Sequence, residues 1–223
     1  MLADAQEYLW TAEVFREGRR AAEAVEAFEA LVKRFPAEAT SYVIYWLGEL
    51  SFNLPKPDFE RSKKYFKDFI DKFPPHHELY IWAKFGLAET LKAVGDNDGA
   101  WQYYQQVEEL APNAIGNPTT RDGLMLKCQL QMGRMAFDQK NWEFAQKYLL
   151  RIAMLAGGEE AAEARYRAGI AAFHLGDVDA AIATWNGLLK AFPDSPWRAL
   201  LVKELDQYKL RLSPDGKSLE KRP

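Results

Sequence analysis

Three histidines and a single cysteine are the side chains here most easily put to chemistry, and their surroundings argue against most of it. His76-His77-Glu78 opens like a zinc-protease helix, in which two histidines four residues apart hold the metal beside a glutamate base. The second ligand would fall at position 81, which is Ile81. A working zinc site needs three or four ligands at fixed spacing, so the run reads as a polar loop and no metal residue is assigned. His174 falls late in a helical segment with no nucleophile or orienting acid beside it, so it reads as a surface or groove residue rather than a base. Gly216-Lys217-Ser218 echoes the end of a phosphate-binding loop, but the earlier glycine that loop requires would be at position 211, which is Arg211. Asp96-Asn97-Asp98-Gly99 lacks the ordered ligands of a twelve-residue calcium loop and reads as a turn. Proline in the middle of Asn117-Pro118-Thr119 rules out a glycosylation site. Cys128, between Leu126 and Leu130, reads as a small buried or half-buried apolar residue. No catalytic constellation is complete, so the expectation is a protein that is not an enzyme and uses no cofactor.

Composition narrows the field further. The 223 residues are 48% hydrophobic and 27% charged, which suits a folded globular chain rather than a disordered one. Twenty-nine basic and 32 acidic residues leave a net charge of −3, which gives no drive toward nucleic acid or an anionic membrane. One cysteine cannot form an intramolecular disulfide. The start, Met1-Leu2-Ala3-Asp4-Ala5-Gln6, lacks the basic and apolar regions of a secretory signal, and no stretch approaches 18 apolar residues.

What the chain does show is repetition. Three side chains recur at i, i+4 and i+7 in five places: Ala24, Phe28, Leu31; Ser62, Phe66, Phe69; Ala100, Tyr104, Val107; Ala145, Leu149, Ile152; and Ala181, Trp185, Leu188. That spacing puts each trio on one face of a helix. A small residue stands 12 or 14 positions earlier each time, at Ala12, Gly48, Ala88, Gly133 and Gly169. Small residues at both places let two helices pack closely as a hairpin. Gly95-Asp96 and Gly176-Asp177 are helix stops followed by new starts. Phe35-Pro36, Phe73-Pro74, Ala111-Pro112 and Phe192-Pro193 close four repeats, and Gly157-Gly158 closes the fourth in order. The repeats run at approximately 5–38, 41–74, 79–112, 119–157 and 159–193, with a long loop around Ala114 to Thr120. Ser195 as N-cap and Pro196 in the first turn begin a capping helix over 195–212. Residues 213–223 read as a polar, disordered tail.

These residues resemble the tetratricopeptide repeat over about residues 5 to 212. The third repeat carries Leu87-Ala88, Gly95, Ala100, Tyr104 and Pro112; the fifth carries Gly169, Gly176-Asp177, Ala181, Trp185 and Pro193; the second carries Trp46-Leu47-Gly48. The period of 36 to 45 departs from the family's 34. The resemblance implies an all-α fold, a single right-handed α-α superhelix (solenoid) over 1–212, whose first helices line a concave groove. In that register Leu9, Tyr45, Phe85, Leu130 and Tyr166 stand on the groove, with Glu13, Glu49, Glu89, Arg134 and Ile170 one turn further. Contact aromatics of this kind would keep their rings partly in solvent. Tyr45, Glu49, Phe85, Glu89, Arg134, Tyr166 and His174 are therefore the expected partner-binding residues, and the function implied is a scaffold that holds a protein or peptide. Leu9, Glu13 and Glu49 do not supply the lysines and asparagines of the family's carboxylate clamp. Phe192-Pro193-Asp194-Ser195-Pro196 is similar to repeats of bacterial cell-envelope assembly proteins, which implies a periplasmic or outer-membrane-associated scaffold. A cytoplasmic interaction or regulatory module is the alternative.

Overall fold

The computed structural model describes residues 4–222. The expectations that touch Met1–Ala3 and Pro223, the missing signal and the end of the tail, lie outside the described residues. Eleven α-helices occur among the described residues, and contacts divide the chain into two compact units that meet in sequence at Arg121 and Asp122. The first unit holds the hairpins α1 (Ala5–Glu17) with α2 (Ala21–Arg34), α3 (Ser41–Phe52) with α4 (Phe59–Lys72), and α5 (Tyr80–Ala93) with α6 (Asn97–Ala114). The second holds most of α7 (Pro118–Asp138), then α8 (Trp142–Leu155), the hairpin α9 (Gly158–His174) with α10 (Val178–Ala191), and α11 (Pro196–Glu204).

Local signals start and stop these helices. Asp58, Asp96, Asn141 and Asp177 each accept a hydrogen bond from the backbone N–H three residues on, which satisfies a donor the helix itself cannot pair. Gly95 and Gly176 take φ of +84° between paired helices, a conformation that favours glycine. All fifteen residues of the i, i+4, i+7 pattern are 0–1% exposed. The small residues Gly48, Gly133 and Gly169, however, face the large member of their trios rather than its small one. A Cβ on Gly133 would lie 2.9 Å from Leu149, and one on Gly169 would lie 2.2 Å from Trp185, whose Nε1 donates to the Tyr166 carbonyl at 3.1 Å. Phe66 is inserted between two such glycines, with 2.9 Å to the position a Cβ would take on Gly48 and 2.3 Å on Gly86. Large rings sunk into backbone hollows let the helices close on one another without leaving a void.

Four local expectations need correction. Pro112 does not end its helix; α6 runs on to Ala114 because only the last turn loses a bond, and Ile115, itself buried, still donates to the Ala111 carbonyl at 3.1 Å. The expected loop from Ala114 to Thr120 shrinks to residues 115–117, since Asn117 caps Thr120 N at 3.0 Å and Pro118 starts α7. The capping helix stops at Glu204 rather than 212: a 3₁₀ turn over Leu205–Tyr208 follows and Lys209, at φ 54°, turns the chain. The segment read as a disordered tail pairs instead as an antiparallel hairpin, Leu210–Leu212 with Leu219–Lys221. Leu210 and Leu219 are buried against the α9–α10 core, and Asn186 accepts the Leu219 N–H at 2.8 Å, which is why a polar-looking segment orders. Gly216-Lys217-Ser218 lies in the turn of that hairpin, where Ser213 Oγ takes the Ser218 N–H at 3.0 Å.

Candidate functional site

In the first unit the residues expected on the groove come from α1, α3 and α5. Tyr45 is half-buried. Its ring meets Trp46, Phe66 and Phe69 edge-on at 5.6, 6.0 and 6.3 Å, so it packs on the core as well as facing outward. Burial, then the neighbouring Glu49 charge, push its phenol well above the usual range. Phe85 is half-buried beside Tyr104, with ring centres 6.1 Å apart.

The carboxylates of this surface have mostly neutral company. Glu49 accepts from Asn53 Nδ2 at 3.1 Å, and Glu89 accepts the Tyr104 hydroxyl at 2.5 Å. Burial raises the Glu49 carboxyl, the Asn53 bond opposes that, and the Glu89 charge adds to it, so the two acids feel each other. Neither has a cation partner among the described residues. Glu13, one turn beyond Leu9, is different. Arg16 donates to its Oε2 from Nε and Nη2 at 3.0 and 2.7 Å, and the Tyr42 hydroxyl donates to the same oxygen at 3.0 Å. The Arg16 guanidinium lies 4.6 Å over Trp46. Arg16, Tyr42 and Trp46 were not among the expected contact residues. Trp46 stands beside Tyr45 in the Trp46-Leu47-Gly48 motif, which was the available signal for it.

In the second unit the expected residues are engaged within the fold. Arg134 grips Glu163 with both Nε (2.9 Å to Oε1) and Nη2, which contacts Oε2. Arg167 adds a 2.9 Å contact to Glu163 and one of 3.2 Å to Asp138. Burial pushes the Glu163 carboxyl up, but the hydrogen bonds and charges of Arg134 and Arg167 outweigh it and hold the acid below its usual range. Tyr166 corrects the expectation of a ring partly in solvent. It is 6% exposed, its hydroxyl donates to Glu204 at 2.6 Å, and Trp197 lies 5.4 Å from it. The 195–208 segment folds over that end of α9 and covers the ring. His174 is exposed and stacks flat on Trp142, 4.3 Å away and 9° from parallel. Leu130 and Ile170 are buried.

His77, by contrast, is tied into the loop after α4. Its Nδ1 accepts from Leu79 N at 3.1 Å, which leaves Nε2 to carry the proton toward Ser41 Oγ at 2.9 Å. No cluster of three or more potential metal ligands occurs among the described residues, and no helix there is long and apolar enough to cross a membrane.

Comparison with known proteins agrees with this geometry. Family models described as tetratricopeptide repeat match residues 8–37 and 130–196, one stretch in each unit. No curated protein sequence matches the chain. Among solved structures it is similar to YrrB, described as a tetratricopeptide-repeat protein with an unusual peptide-binding site, at 16% identity over 91% of this chain and 93% of that one, with a TM-score of 0.66. It is also similar to the C-terminal part of a repeat protein from Cytophaga hutchinsonii, at 18% identity over 90% and 72% of the two chains, TM-score 0.66. Kinesin-light-chain-like repeats from Podosopora anserina give 13% identity over 91% and 98%, TM-score 0.56. The chain thus shares the fold of tetratricopeptide-repeat structures, and the family models match it over those two stretches.

Proposed function

We propose that this chain is a non-catalytic scaffold whose first-unit groove holds an extended or helical peptide bearing lysine or arginine. One observation carries the reading: Glu49 and Glu89 stand half-buried among Tyr45, Trp46 and Phe85 with no cation of the protein's own to pair with. A partner's cation would supply the missing charge, and aromatic rings bury area on binding at low entropy cost. Arg134, Tyr166 and His174 belong to the second unit and are not part of this groove. The proposed setting is a bacterial cell-envelope assembly, supported by the Phe192-Pro193-Asp194-Ser195-Pro196 phrase. Fractionation of source cells tests it, and recovery of the natural protein in the cytoplasmic fraction would favour the alternative, a cytoplasmic interaction module.

The binding test begins with capture of partners from source cells by the tagged protein, identified by mass spectrometry. Tyr45→Ala and Glu89→Lys proteins are then compared with wild type. Loss of about 2 kcal/mol at an interface aromatic corresponds to at least about thirtyfold weaker binding. Normal binding by both variants, in proteins that remain folded by circular dichroism, would rule out the groove.

A further inference from the structure

The second unit carries a cation that the proposed function does not use. Lys84 in α5 and Arg165 in α9 occupy one register position, four residues before the small residues Ala88 and Gly169. Lys84 is buried against α6, and Arg165 is half-buried beside α8 and α10. Their surroundings differ at one further register position, six residues after the alanine that opens each trio. In α6 that position is Gln106, and its Oε1 accepts from Lys84 Nζ at 2.6 Å; the rings of Tyr80 and Tyr103 stand 5.2 and 5.3 Å away. In α10 it is Gly187.

Gly187 sits inside a helix, where glycine is about 1 kcal/mol less favourable than alanine. A Cβ there would lie 3.3 Å from Arg165 Nε. With no side chain at that position, a cleft of about 280 Å³ opens between α8 and α10, floored by Arg165 and walled by Leu150, Ala153, Ala183 and Thr184. Thr184 is not a free partner, because its hydroxyl donates to the Ala180 carbonyl at 2.8 Å. The guanidinium makes one long hydrogen bond, 3.5 Å to the carbonyl of Ala161 in its own helix, and lies 5.2 Å from the Phe192 ring. No carboxylate pairs with it among the described residues. Met154 on the rim is 80% exposed and the adjoining Leu155 is 60% exposed.

We propose that this cleft docks an acidic peptide segment, with a Glu or Asp side chain paired to Arg165 and a neighbouring apolar residue lying against Met154. Charge complementarity selects that occupant. A guanidinium held partly out of water without a counterion is the group that gains most from a carboxylate, which can take two of its N–H donors side by side. Burial already holds the Arg165 cation below its usual range, so an anion there meets a positive charge the protein has left uncompensated. The first unit shows the contrasting, closed version, in which Gln106 answers the cation internally. The site is separate from the acidic first-helix groove, so the two surfaces would take partners of opposite charge.

The test uses the full chain labelled at methionine methyls and arginine Nε. The probes are two synthetic peptides, acetyl-Ala-Leu-Glu-Leu-Ala-amide and the same peptide with Gln in place of Glu. The Glu peptide should produce saturable shifts at the Met154 methyl and the Arg165 Nε–H, and the Gln peptide should bind at least about tenfold more weakly. Arg165→Gln should lose the response, and so should Gly187→Gln, which restores the closed arrangement of the first unit. Absence of a saturable response, equal binding of the two peptides, or retained binding in a folded Arg165→Gln protein would overturn the proposal. The peptide pair alone decides on wild-type protein if either substitution unfolds the chain.

Discussion

Glu49 and Glu163 stand on first helices of the two units and meet opposite company. Glu163 is gripped by Arg134 and Arg167 and held in its charged form. Glu49 has a neutral amide and another acid, and its carboxyl is pushed toward protonation. The aromatic neighbours divide the same way. Tyr166 is sealed under Trp197 and bonded to Glu204, whereas Tyr45 is only half-buried. One repeat pattern thus yields one acid paired with two arginines and another with no cation beside it among the described residues. Ion pairs satisfied within the fold have little left to offer a partner, and removing one member leaves the other charge uncompensated.

That contrast can be broken by substitution. The largest effect should come from Tyr166→Ala, which removes a buried ring and its hydrogen bond to Glu204. We expect a loss of about 4 kcal/mol in thermal or urea unfolding, against roughly half that for Tyr45→Ala. Equal losses would mean that the two rings are equally part of the core. Next, Glu163→Gln should cost about 3 kcal/mol, because it leaves two guanidinium groups without their shared anion. Its acid is held below its unfolded range, so the contribution is present at pH 7, persists to about pH 5 and fades only as pH falls through the depressed value.

The smallest expected effect has the opposite sign. Glu49→Gln keeps the acceptor for Asn53 and removes a charge the site disfavours, so melting should rise by about 2 °C at pH 7. The Glu49 carboxyl is raised in the folded state, so ionising it lowers stability at neutral pH. Acidifying toward about pH 4.3, the ordinary glutamate value, protonates it in the folded protein and removes that penalty. The advantage of Glu49→Gln over wild type should therefore shrink on acidification from pH 7 to 5, while the deficit of Glu163→Gln should not. Melts at the two pH values check both statements, and parallel behaviour of the two variants would erase the distinction between the units.

Helical hairpins were legible in the sequence because their causes are local and repeated. A trio such as Ala181, Trp185 and Leu188 faces its partner helix a few residues away in the chain, and capped turns such as Gly176-Asp177 mark the join. Hydrophobic periodicity reports that kind of packing directly, and five copies in phase reinforce it. Where single side chains meet partners in other elements, only the tertiary structure decided the outcome. Tyr166 occupies the same register position as Tyr45, yet it is buried because a segment 38 residues downstream supplies Glu204 and Trp197 folds over it. Arg134 was legible as a groove cation, but its charge is taken by Glu163, 29 residues away in the next helical pair. The hairpin after Lys209 ordered through Leu210, Leu219 and Asn186, which no local pattern connects. The cleft at Arg165 exists because position 187 carries no side chain. A repeat period records what every copy shares, whereas exposure and charge pairing depend on what each copy lacks and on which neighbour arrives to fill the gap.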